Sequence, residues 1–232
     1  YIKEKMDLDI QVQKLKLLKS NFLSEKYALE DKVIKYYPQR ITALENRIEG
    51  LKQDVETAKQ HPKPTDDRFV GMEVKGVFYS EKAEAGKAII EACKQMNSPD
   101  PISLGKYRGF DTELLFNSTE RTYEVKLKGA TSRNITLGDD AYGNITRLDN
   151  GIEKFAESLT FAENELENTQ NQFEIAKKEV QKPFAQEEDL KAKLSRLDEL
   201  NILLNMDKTE NEIVGGEPDE SEKPQKSRGQ ER

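Results

Sequence analysis

The sequence predicts an α+β protein: a long antiparallel coiled-coil stalk with a small inserted β-α-β-β-β head. Three observations predict it. Apolar residues at alternating steps of three and four run from Ile152 through Phe155, Leu159, Ala162, Leu166, Thr169, Phe173, Ala176 and Val180. That is the narrow seam of a coiled coil, not the broad stripe of a helix on a globular core. A second lattice of the same kind precedes it, at Ile41, Leu44, Ile48, Leu51, Val55 and Ala58. Between the two, the apolar period changes to two, which marks strands.

Residues 1–61 form the N-terminal arm of the stalk. Leu8, Leu15, Leu18, Phe22, Leu29 and Tyr36 continue the lattice backwards, interrupted by Gln11, Glu25 and Lys32. Pro38 removes a backbone donor, so it either kinks a continuous rod or opens a second helix after a reversal. His61-Pro62-Lys63-Pro64 ends the arm, because the residue before each proline is driven out of the helical region.

Residues 62–150 form the head. The run 69–79 alternates as one strand, with Met72, Val74 and Phe78 on one face. Ser80 caps a helix over 81–96, with Ala85, Ala88, Ile89, Ala92 and Cys93 as its apolar stripe. Extended segments follow at 102–116, bent or bulged at Gly105 and Gly109, at 121–128 and at 133–137. In the middle one Tyr123, Val125 and Leu127 alternate with Glu124, Lys126 and Lys128, the pattern of a half-buried antiparallel strand. The segment 138–144 is read as a turn.

Residues 151–206 are the C-terminal arm, its lattice carried past Pro183 and Glu187 to Leu190, Leu194, Leu197, Asn201 and Leu204. At about 1.5 Å per residue this helix would reach roughly 80 Å and demands an equally long partner. Setting Ala58 against Ile152 brings Pro38 near Gln172 and Leu8 near Ile202. Residues 207–232, charged and poor in large apolar groups, are expected to form a disordered tail.

Charge supports the pairing of the arms. Residues 1–65 carry 13 Lys and Arg against 10 Asp and Glu, whereas 151–232 carry 12 against 20. Opposite signs favour pairing of the arms with each other, though exposed ion pairs contribute little individually. Long arms can also exchange between copies, so a monomer or a domain-swapped dimer satisfies the seam. The chain is 35% hydrophobic and 35% charged, with no tryptophan, a balance suited to helical rods. No apolar run approaches the roughly eighteen residues of a membrane span, and no signal-peptide pattern is seen. A cytoplasmic piece of a larger protein is the expectation.

Catalytic chemistry finds little support. His61 is the only histidine and Cys93 the only cysteine, which excludes an internal disulfide, multi-cysteine metal sites and sites with several histidine ligands. A nucleophilic triad is not supported either. His61 reads as a surface residue of a proline-bounded linker, and Cys93 as a buried structural thiol. Asp139 and Asp140 lack the spacing of the calcium loop, and Ala85-Gly86-Lys87 lacks the glycine and strand of a phosphate loop. Three Asn-X-Ser/Thr sequons, at Asn117, Asn134 and Asn144, read as turn and strand composition. No catalytic residue, cofactor or metal is expected. The functional candidate is a nucleic-acid surface: Lys106, Tyr107 and Arg108 in one strand with Lys126, Lys128 and Arg133 around the next hairpin, cations with an interleaved aromatic.

Several stretches carry a resemblance: 29–38 (LEDKVIKYYP), 105–110 (GKYRGF), Leu137-Gly138-Asp139 with Gly143-Asn144-Ile145, 179–184 (EVQKPF) and 197–201 (LDELN). Together they resemble the C-terminal region of very large proteins of bacterial conjugative plasmids and integrative elements, which join a Swi/Snf-type helicase to an adenine-specific DNA methyltransferase. The motor and methylase signatures of that family are not in this chain, so no catalytic residue carries over. The resemblance implies a non-catalytic accessory module of a DNA-processing enzyme, with DNA, met through the head, and the rest of the parent protein as partners. The alternative is a purely structural interaction or oligomerisation module without DNA binding.

Overall fold

The protein is α+β, with long helices flanking two small antiparallel sheets. The structure is a computed structural model that describes residues 1–66 and 68–214. Its helices are α1 (Ile2–Asp31), α2 (Tyr37–Gln60), α3 (Lys82–Lys94), α4 (Ala141–Val180) and α5 (Glu187–Val214); its strands are β1 (Met72–Val74), β2 (Val77–Tyr79), β3 (Ile102–Tyr107), β4 (Phe110–Asn117), β5 (Thr122–Lys128) and β6 (Ser132–Thr136). The part of the expected tail from 215 onward lies outside the described residues. Two compact units divide the chain, one of Asp31–Glu179 and one of Tyr1–Glu30 with the described residues from Val180 on.

Pro38 does not reverse the chain. Between α1 and α2 the five residues Lys32–Tyr36 form a π-helical turn, in which the Tyr37 amide bonds to the Lys32 carbonyl, and the backbone stays right-handed at Asp31, Tyr36 and Tyr37. The wider turn makes room for a proline that can neither donate nor tolerate the carbonyl four residues back. It also adds one residue to the helical circumference, so the lattice slips by one. Tyr36, expected in the seam, is 54% exposed, and Tyr37 stacks on Phe173 instead, ring centroids 5.4 Å apart.

Within the unit Asp31–Glu179, α2 lies antiparallel to α4. Tyr37 meets Phe173, and Arg40, further along, pairs with Glu165. Leu44, Ile48 and Leu51 are buried on one side and Ile152, Phe155, Ala162, Thr169 and Ala176 on the other, all positions of the two lattices.

The head is a meander. Strands β3-β4-β5-β6 form one sheet in that order, and β1-β2 a separate hairpin. The expected single strand 69–79 is this hairpin, turned at Lys75-Gly76, both with positive φ. It pairs Val74 with Val77 and Glu73 with Phe78, so Phe78 leaves the face of Met72 and Val74 and is 67% exposed. The expected segment 102–116 is likewise a hairpin. Gly105 carries a register bulge, as anticipated, but Arg108-Gly109 is a full turn. Helix α3 begins at Lys82 with Glu81 at its cap position and no side-chain cap bond, so Ser80 does not cap it. Gly86 is fixed by close approach, since a Cβ there would strike the Ala141 backbone at the start of α4. That helix starts ten residues earlier than the expected arm, inside the segment read as a turn.

Head and helices share one core. Leu104, Phe110, Leu114, Val125 and Leu127 of the sheet pack in the same cluster as Ala85, Ile89 and Ala92 of α3, Ile48 and Leu51 of α2, and Ile145, Leu148, Ile152 and Phe155 of α4. Phe110 and Phe155 stack at 5.1 Å, an arrangement that contributes about 0.5–1.5 kcal/mol beyond area burial.

In the other unit α1 also runs antiparallel to its partner helix. Phe22 meets Phe184, Lys19 pairs with Glu187, Val12 and Leu15 pack on Leu190 and Leu194, and Glu4 pairs with Arg196. The straight register past Pro183 is corrected here. The chain leaves the helix between Val180 and Glu187, and extended residues advance about 3.3 Å each against about 1.5 Å in a helix. Fewer residues therefore cover the same distance. Leu8, expected beside Ile202, lines a groove with Arg196 instead, and Ile202 is 61% exposed.

Candidate functional site

The six candidate residues for nucleic-acid contact do not form one surface. Tyr107 and Arg108 are buried, at 2% and 5% exposure. The β3-β4 turn holds Arg108 and Gly109 at φ 45° and 81°, a two-residue turn that favours Asn-Gly. Arginine occupies the strained position because its side chain is used inward. Its Nε donates to the His61 carbonyl at 2.9 Å, one Nη to Asp149 Oδ1 at 3.1 Å and the other to Glu153 Oε1 at 2.8 Å. The Tyr107 hydroxyl donates to the same Asp149 oxygen at 2.7 Å. Burial, then the Asp149 charge and hydrogen bond, push the phenol far above its usual range, only partly offset by Arg108. Tyr107 and Arg108 thus fasten the sheet to α4 and to the linker after α2. These two of the six candidates are structural because strand alternation turned Tyr107 inward and the turn folded Arg108 under it.

Arg133 is also held by the fold. Its guanidinium lies 5.2 Å from the Phe155 ring centroid, donates to the Lys154 carbonyl at 3.2 Å and to Ser158 Oγ, and keeps a buried Nε without a hydrogen-bond partner among the described residues. Burial lowers its proton affinity, with Glu157 opposing and Arg47 reinforcing the shift.

Lys106, Lys126 and Lys128 do share the outer face of the sheet, and the register shows what surrounds them. Lys106 lies opposite Asp111, Asp111 opposite Lys128, Glu113 opposite Lys126, and Leu115 opposite Glu124. Three cations therefore face three carboxylates. Lys128 bonds Glu113 at 2.6 Å and Lys106 approaches Asp111 to 3.6 Å, while Asn117 and Asn134 hold Glu124. The Glu113 hydrogen bond raises the Lys128 pKa. A neutralised face offers a phosphate backbone little net attraction.

The residue that sequence reasoning missed is Asp54. It is 1% exposed on α2, and its carboxylate accepts the amides of Ala130 at 2.7 Å and Thr131 at 2.8 Å, and the Thr131 hydroxyl. The β5-β6 turn is thereby clamped to the helix. The available signal was a carboxylate three residues after Leu51 on the inward side of a clean lattice.

His61 is exposed, with Nδ1 3.1 Å from the Thr57 carbonyl; its contribution to the site is the carbonyl that receives Arg108. Cys93 lies on the buried face of α3, and burial pushes its thiol up to about 11, the opposite of an activated nucleophile. Among the described residues, no group of three His, Cys, Asp or Glu is placed to hold a metal ion, and no helix is long and apolar enough to cross a membrane. No family model, curated protein or solved structure matches the chain significantly.

Proposed function

We propose that this chain is a non-catalytic accessory module in which an antiparallel coiled-coil stalk holds the α+β head for contact with a partner, and that the contact is with protein rather than DNA. The observation that carries the choice is the inward use of Tyr107 and Arg108 together with the carboxylate opposite each of Lys106, Lys126 and Lys128 on the sheet. Removing an aromatic and two arginines from a stacking surface leaves three lysines without net excess charge, too little for a groove that tracks phosphates. The stalk reading is supported by side-chain pairs that run in reverse order along the helices of each unit. The parent assigned by resemblance, a helicase and adenine methyltransferase of a mobile element, supplies the candidate partner: its own upstream domains.

Hydrogen exchange of the full chain, with and without those upstream domains, tests the proposal. Protection on the head supports it. Electrophoretic shift of duplex or single-stranded DNA by the chain alone, weakening steeply from low to moderate salt, would overturn it in favour of DNA contact.

A further inference from the structure

One cavity of the head belongs to none of the contacts above. It has a volume of about 580 Å³ and lies between α3, the start of β5 and the loop that enters α4. That volume is in the middle of the range of small-ligand pockets, roughly 300–1,000 Å³. Ile90 of α3 and Leu137 after β6 give it an apolar floor, and Arg121, Lys94 and Asp139 are its charged lining residues.

Two features of the wall set it apart from an incidental groove. Arg121 sits at φ 54°, in the left-handed region that glycine or asparagine occupies at least cost. The β4-β5 turn itself is made by other means, since Asn117 Oδ1 accepts the amides of Thr119 and Glu120 at 3.1 Å each. A glycine at 121 would satisfy the backbone, so the arginine is there for its side chain. Beside it, Thr122 Oγ1 is buried without a hydrogen-bond partner among the described residues, which is rare enough in folded chains to require a reason.

We propose that this cavity binds a small organic monoanion, a carboxylate carried on an apolar body. Arg121 takes the carboxylate in its planar fork, with Lys94 as the second cation and the Thr122 hydroxyl as a further donor, while the apolar body lies on Ile90 and Leu137. Among the lining residues two cations against the Asp139 carboxylate leave one net positive charge, with Glu91 3.9 Å from Lys94 tempering it further, which suits a monoanion and disfavours a phosphate dianion. The proposal is independent of the partner contact proposed above.

The probes are 2-naphthoate and its neutral amide, 2-naphthamide, added to the full chain. Binding is read from the chemical shifts of the Ile90 and Leu137 methyl groups, and from slowed reaction of Cys93, a lining residue and the chain's single cysteine, with a thiol reagent. The expected result is that naphthoate binds about tenfold more tightly than the amide, the loss of one charge-assisted contact. Arg121→Gly should raise the melting temperature, because it relieves the backbone, and bring naphthoate down to the affinity of the amide. Thr122→Val, which removes a hydroxyl with no partner among the described residues, should leave stability unchanged and weaken naphthoate several-fold. Equal binding of the two probes, no binding of naphthoate at about 10 mM, or an Arg121→Gly variant that is less stable or binds as before would each overturn the proposal.

Discussion

Asp54, near the end of α2, accepts the amide of Ala130 at 2.7 Å across 76 residues of sequence. A carboxylate this deeply buried normally costs stability, and it persists because three donors from one turn converge on it.

Replacing Asp54 with Ala leaves two part-buried amides without their acceptor. The expected loss is about 3 kcal/mol, on the order of 1–3 for each unmet group, measured by denaturant unfolding. Asp54→Asn keeps one acceptor and should lose about half as much. A loss below about 1 kcal/mol for the alanine variant would show that water replaces the carboxylate freely.

The buried pair Arg108 and Asp149 makes the opposite kind of prediction. Arg108→Met leaves Asp149, 6% exposed at its side chain, with the Tyr107 hydroxyl as its one remaining hydrogen-bond donor among the described residues, and should cost about 3–5 kcal/mol. Adding Asp149→Asn removes the stranded charge and should recover a large part of that cost. Glu153, exposed at 61%, should tolerate Gln with a change below about 1 kcal/mol. A double-mutant cycle in unfolding free energy checks all three values.

Cys93 gives a pH prediction. Its folded pKa is raised from 9.0 to about 11 by burial, so the folded state holds the proton more tightly than the unfolded state. The thiol's contribution is fully present below pH 9 and is lost as pH rises toward 11, when only the unfolded thiol ionises. The loss should reach up to about 2 kcal/mol. Cys93→Ala should flatten the stability profile in that window while lowering it at neutral pH. An unchanged slope would show that the thiol is wet.

The π turn before Pro38 predicts which of two adjacent tyrosines matters. Tyr37→Ala should cost about 2–3 kcal/mol through its contact with Phe173, and Tyr36→Ala less than about 1. Thermal unfolding of the two variants tests this. Reversed values would mean the helix passes Pro38 without the extra residue.

The inward face of the long helices was readable wherever the helix stayed regular. Every lattice position from Ile41 to Ala58 and from Ile152 to Val180 is wholly or partly buried. Periodicity reports the phase of an ideal helix, so it failed where the backbone changed phase, at Lys32–Tyr36 and between Val180 and Glu187. The paired strands were visible as alternation, but alternation does not distinguish one bent strand from a two-residue hairpin when the turn uses Lys75 or Arg108 where Asn is usual. The site was legible least. Lys106, Tyr107 and Arg108 are consecutive cations and an aromatic in the sequence; which of them reaches solvent depends on a turn and on Asp149, forty residues away, about which local pattern says nothing.

The common core of sheet and helices has a practical consequence for anyone dissecting or grafting this chain. Cutting at the prolines on one side and at Asn150 on the other would strip Phe110 of Phe155 and leave the turn at Ala130 without its carboxylate. The transplantable piece is the longer fragment 31–179, which carries both walls of its own interior.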